Sequence, residues 1–200
     1  MGLLDSLLGR TKPIKANLDA LFALPSAAVT LQLSAGLVPT GRAGVCFKPP
    51  AGQPFEDVQS ELEQLLRVDG GTAAAATTVR HVGDSYGYRW IVIEGGAIDD
   101  LVTRVHMVHS SLEDAGWSTQ LLCSVFGFAP GPAADVADAV SRPLYLVYLA
   151  KRGTFYPFAP SGHEQRDTEL ELRLRSIIGT DLPVEAELDR WFPLWDLPIT

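Results

Sequence analysis

Five residues, Gly83-Asp84-Ser85-Tyr86-Gly87, have the spacing of a nucleophile elbow. Such an elbow places a serine on a strained turn between a strand and a helix, with its hydroxyl turned toward a general base. His163 lies downstream and would supply that base, so Ser85 and His163 define a serine-hydrolase alternative. The context argues against it. Tyr88–Ile93, which follows, reads as a strand and not a helix, and Gly, Asp and Ser are also the residues that a β-hairpin loop needs. The expected reading is a hairpin in a chain that is not an enzyme.

His106 and His109 stand three apart on a predicted helix, a spacing that can present two imidazoles to one metal. Ile98, Leu101, Val102, Val105, Val108 and Leu112 define an apolar stripe on that helix, with His109 near its centre and His106 at its edge. A histidine in such a stripe is more often a hydrogen-bonded core residue than a ligand, so the metal pair is the weaker alternative. Cys46 and Cys123 fall among apolar neighbours in predicted strands and read as buried free thiols. They give neither a disulfide framework nor a zinc spacing. There is no G-x-G-x-x-G after a strand and no P-loop, and no cofactor is expected. Glu169 and Glu171 read as a solvated helix face.

The elements that would position these residues follow from periodicity and punctuation. Asn17 is a plausible cap for a short helix carrying Leu18, Leu21 and Phe22, with Pro25 as its stop. Strands are expected over 28–33 and 43–48, then a helix over 54–68 with Phe55, Val58, Leu62 and Leu65 at helical spacing. Strands over 77–82 and 88–93 precede a helix over 98–115 with Gly116 just beyond it. Strands over 118–128 and 144–150 flank a Gly/Pro/Ala loop, and 154–158 reads as an extension of the second past Gly153. Residues 169–178 form a helix capped by Asp167 or Thr168, and 183–192 a last short helix. The order is ββα three times. The fold class is α+β: one antiparallel sheet with helices mainly on one face. Residues 16–200 make a single domain preceded by an amphipathic, basic segment over 1–15.

Both ends are apolar. Leu3, Leu4, Leu7 and Leu8 gather on one face of a short helix, followed by Arg10, Lys12 and Lys15. They are candidates for partner contact or for weak, reversible attachment to an anionic membrane surface. Trp191 and Trp195, in the run Arg190-Trp191-Phe192-Pro193-Leu194-Trp195, either close the core or form a docking surface.

Composition sets the outer bounds. The 200 residues are 46% hydrophobic and 20% charged, which is globular and not disordered. Net charge is −8, against a general nucleic-acid binder, which needs a basic face to displace counterions from phosphates. Residues 1–50 nevertheless sum to +3, from Arg10, Lys12, Lys15, Arg42 and Lys48 against Asp5 and Asp19. No apolar run is expected to reach the roughly 20 residues of a membrane span. The few cysteines and the absence of a signal-peptide pattern point to a cytoplasmic location.

Four stretches of the sequence resemble the PspA-associated protein PspAB family: MGLLDSLLGRTK, LDALFALPSAAVTL, GVCFKP and RWFPLWDLP. The resemblance implies a protein-binding accessory of PspA, the peripheral membrane protein of envelope-stress responses, at the inner face of the membrane. It carries over no catalytic residue. The element order is also similar to that of secretion-chaperone-like α+β domains, which implies protein binding and a homodimer.

Overall fold

A computed structural model describes residues 17–49, 77–84, 87–132 and 139–199. The helices expected over 3–8 and 54–68, and the boundary between residues 15 and 16, lie outside these residues. Among the described residues, β1 (Leu37–Phe47), β2 (Thr78–Gly83), β3 (Arg89–Glu94), β4 (Leu121–Pro130), β5 (Leu144–Leu149) and β6 (Thr154–Phe158) form one sheet in the order β2-β3-β1-β4-β5-β6. Every neighbouring pair is antiparallel. The helices are α1 (Leu24–Ala35), α2 (Ile98–Asp114) and α3 (Thr168–Ile178), and the fold class is α+β as expected.

Residues on a strand alternate between faces, and here both faces are apolar. Ala43, Val45, Phe47, Ile91, Ile93, Phe126, Phe128, Leu146 and Tyr148 belong to one core beneath the helices. Their neighbours Cys46, Trp90, Val92, Val125, Tyr145, Val147, Tyr156 and Phe158 belong to a second core on the reverse face. That is why β3 and β5 read as unbroken apolar runs in place of an in–out alternation.

The helix α1 replaces the strand expected over 28–33. Its alternating stretch AVTLQL fits a strand template, but Leu24, Ala27, Ala28, Leu31 and Ala35 recur at helical spacing and are the residues buried. Pro25 does not stop a helix here. It occupies the first turn, where no intrahelical N–H is required, and Gly36 ends the helix at φ +68 with its N–H on the Gln32 carbonyl. Leu18–Ala23 forms a 3₁₀ turn leading into α1. Against expectation, the window Leu18–Ala35, 18 residues of mean hydropathy 1.3, is long and apolar enough for a membrane span. Core helices pass the same test, and the inner side of this one lies against the sheet.

The hairpin β2–β3 and α2 appear where the pattern puts them. Asp100 accepts from the Ala97 N–H at the start of α2, and Gly116, at φ +82, follows its end. In α3 the Asp167 carboxylate accepts from the Leu170 N–H at 3.0 Å.

The order is not three ββα units, because the first predicted strand is helical and three strands of the main sheet, then a small hairpin, follow α2. β6 is a separate strand that turns back at Ala150–Gly153 and pairs with β5. Residues 118–120 form a 3₁₀ turn before β4. A small hairpin, β7 (Pro160–Gly162) with β8 (Gln165–Arg166), precedes α3.

Pro183–Phe192 is not a helix apart from the 3₁₀ turn Leu188–Arg190. Its backbone is committed elsewhere: Phe155 N–H donates to the Pro183 carbonyl and Glu185 N–H to the Phe155 carbonyl, which covers the outer edge of β6. From there the chain crosses the reverse face as an extended strap. Gly44 in β1 lies under it: a Cβ there would come within 3.1 Å of Ile199 and 3.2 Å of Trp90.

Candidate functional site

The flanks of the elbow-like motif close a hairpin. Gly83 pairs with Arg89, the Asp84 N–H donates to the Tyr88 carbonyl, and the Asp84 carboxylate accepts from the Tyr88 N–H at 2.9 Å. A strand stands on each side, whereas an elbow needs a helix after the serine. Ser85 itself lies outside the described residues. His163 sits exposed at the β7–β8 turn.

The two helix histidines have different surroundings. His109 is fully buried, and its Nε2 lies 2.6 Å from Ser124 Oγ on β4. Tyr148 meets its ring edge-on with centroids 6.0 Å apart. Burial, with a smaller contribution from the charge of His106, pushes the His109 pKa down to about 3, so the ring is neutral at physiological pH. His106 is half-buried and packs on Phe22 at 5.2 Å. Among the described residues no three His, Cys, Asp or Glu side chains are grouped to hold a metal. Cys46 and Cys123 are buried, free and directly opposite one another across β1 and β4. The Cys46 thiol is held above its usual pKa by its hydrogen bond with Cys123 and by burial.

The strap gathers most of the polar chemistry. Trp191 is buried, stacks on Tyr156 at 5.8 Å, and donates its indole N–H to the Glu185 carbonyl. The Tyr156 hydroxyl donates to the Phe192 carbonyl at 2.8 Å, and Arg166 donates to the Trp191 carbonyl. Two carboxylates are buried here with arginine partners. Glu171, expected on a solvated face, accepts from Arg166 and from the Ala159 N–H. Helical periodicity alone could not show that the chain leaving β6 would bring the Ala159 N–H to it. Glu185 is paired with Arg152 and Thr154. Burial opposes its charge, but the hydrogen bonds from Arg152, the Glu187 backbone and Thr154 prevail and hold its pKa near about 2.

Where the strap passes the β7–β8 hairpin it leaves a cleft of about 460 Å³. Tyr145, Trp195 and Leu197 form its apolar side, and His163, Glu164 and Asp196 its polar side. Trp195 is half-buried and meets Phe158 edge-on at 5.3 Å.

On the helical side of the sheet, α1 and the turn before it present a second surface. Phe22, Val29 and Leu33 are 52%, 57% and 72% exposed, and α1 carries no charged residue.

The model of the family PspA associated protein B matches residues 1–199. The chain belongs to this family. No curated protein and no solved structure matches it. Of the residues singled out from sequence, Trp195 lines the cleft and Trp191 lies in the reverse core, while Leu3, Leu4, Leu7 and Leu8 lie outside the described residues. Sequence reasoning missed Tyr145, Glu164 and Asp196, which are distant in the chain and meet only through the strap. It also missed Val29 and Leu33 as surface residues, although their separation of one helical turn was a usable signal once 24–35 was read as helix.

Proposed function

We propose that this chain is a non-enzymatic accessory protein that binds a PspA-type protein in envelope-stress responses. The observation that carries the reading is the family match, which runs over residues 1–199 and not over a fragment. The exposed apolar residues of α1 and of the turn before it support it. Val29 and Leu33 on α1, which has no charged side chain, and Phe22 on the 3₁₀ turn leave apolar surface suited to a protein partner. In this reading the protein works in the cytoplasm at the inner face of the membrane, and residues 1–15 supply weak lipid contact through leucines and the basic residues that follow.

The test is capture of the purified PspA-type protein of the same organism by the full-length chain. A Phe22→Ser/Val29→Ser/Leu33→Ser variant is expected to lose capture while keeping its fold by circular dichroism. No capture by the wild-type chain overturns the reading. Flotation with anionic vesicles tests the membrane part: removal of residues 1–15 is expected to abolish recovery, and equal recovery overturns it.

A further inference from the structure

We propose that the cleft between the β7–β8 hairpin and the strap is a binding site for a cationic side chain, arginine or lysine, of a protein partner. This rests on the protein-binding reading above and assigns one contact of it.

The apolar side of the cleft is a fixed aromatic wall. Phe158 is buried, Tyr145 stacks on it at 6.3 Å, and Trp195 meets it edge-on. Aromatic faces attract cations through the ring quadrupole, most strongly where water is partly excluded. This cluster already does so once, since the Arg166 guanidinium lies 5.6 Å from the Phe158 ring centroid. Arg166 is not the occupant of the cleft, because Glu171 and the Trp191 carbonyl hold it.

The polar side carries the complementary charge. Glu164 comes from the hairpin and Asp196 from the strap, so two acidic residues line one cleft from opposite elements. Three acids nearby are paired: Glu171 with Arg166, Glu185 with Arg152, and Asp167 with Arg142. Among the described residues, Glu164 and Asp196 form no ion pair, and no lysine or arginine lines the cleft. An aromatic wall and two acidic residues without an ion pair, lining one cleft, select an organic cation with an apolar stem, which describes an arginine or lysine side chain. A carboxylate or phosphate would meet two like charges, and a neutral side chain would gain from the wall alone.

The full-length chain, titrated with N-acetyl-arginine amide, is followed by the Trp195 indole signal in nitrogen–proton correlation spectra. N-acetyl-citrulline amide serves as the uncharged analogue. A saturable shift with the arginine probe, at least about tenfold weaker with citrulline, is expected. A Glu164→Gln/Asp196→Asn variant is expected to lose arginine binding by about tenfold with its other signals unmoved. No saturable shift, an equal citrulline response, or unaltered binding by the variant overturns the proposal. Unchanged capture of the PspA-type protein by a variant that has lost arginine binding also overturns it, because the cleft then plays no part in the partner contact. Arginine binding by a wild-type chain that captures no PspA-type protein supports the site and overturns only the wider reading.

Discussion

Helices cover one face of the sheet and an extended strap covers the other, and the two covers are held by different forces. A helix satisfies most of its own backbone polar groups, so α1 and α2 can present Leu24, Ala27, Leu31, Val105 and Val108 to the sheet with little polar cost. The strap has no such internal pairing, and its carbonyls need outside donors. Tyr156 serves Phe192, Arg166 serves Trp191, the Trp191 indole serves Glu185, and Arg80 serves Pro198. The buried carboxylate Glu171 follows from this, since it pairs with Arg166, while Glu185, on the strap itself, takes Arg152 and Thr154. Arginines used as donors to a strap must be neutralised, and acids placed beside them do so. Irregular cover therefore brings paired charge into the interior, and α2 also buries one charged residue, Arg104.

Four measurements probe that contrast. The largest effect is expected on the helical face, where Phe126→Ala removes a fully buried ring and costs about 3–5 kcal/mol of global stability in urea unfolding. On the strap face, Trp191→Ala is expected to fall at the low end of that range, about 3 kcal/mol, and to act locally. By hydrogen exchange, strap amides lose protection while those of α1 and α2 keep it. If protection falls equally on both faces, the two covers are one cooperative unit and the contrast fails.

The third measurement is acid sensitivity. The folded pKa of His109 is near about 3, below its unfolded value of about 6.5. Its contribution is therefore present above pH 6.5 and is lost as pH falls toward 3. Glu185, also depressed, loses its contribution only as pH falls from about 4.5 toward 2. Between about pH 6.5 and 4.5 the helical face alone should weaken, by up to about 1.4 kcal/mol per pH unit, and His109→Gln should flatten that slope. The smallest effect is that of Phe22→Ser. An exposed side chain changes stability by no more than about 0.5 kcal/mol, so its loss should register in partner capture and not in melting temperature.

The regular elements were far more legible in the sequence than the strap. The β2–β3 hairpin, α2 and α3 each carry local signals: a Gly/Asp turn, an apolar stripe, and Asp167 as a cap. α1 was misread because Pro25 is a stop signal in mid-helix and a start signal in the first turn, and only position distinguishes the two. The strap had an apolar composition but no period. Trp191, Leu197 and Ile199 find their places in the reverse core against side chains of the strands, contacts that exist only once the sheet does. The cleft was illegible for the same reason, since Tyr145, Glu164 and Asp196 belong to three separate elements.

The strap also orders events in time. Residues 37–158 contain all six strands of the main sheet, whereas Trp191, Leu197 and Ile199, which cover its reverse face, emerge from the ribosome later. At about 5–20 residues per second, the gap lasts roughly 2–8 seconds. During that interval Trp90, Val92, Val147 and Tyr156 present a bare apolar surface on a nascent chain, which makes it the stage at which a chaperone or a wrong neighbour can bind.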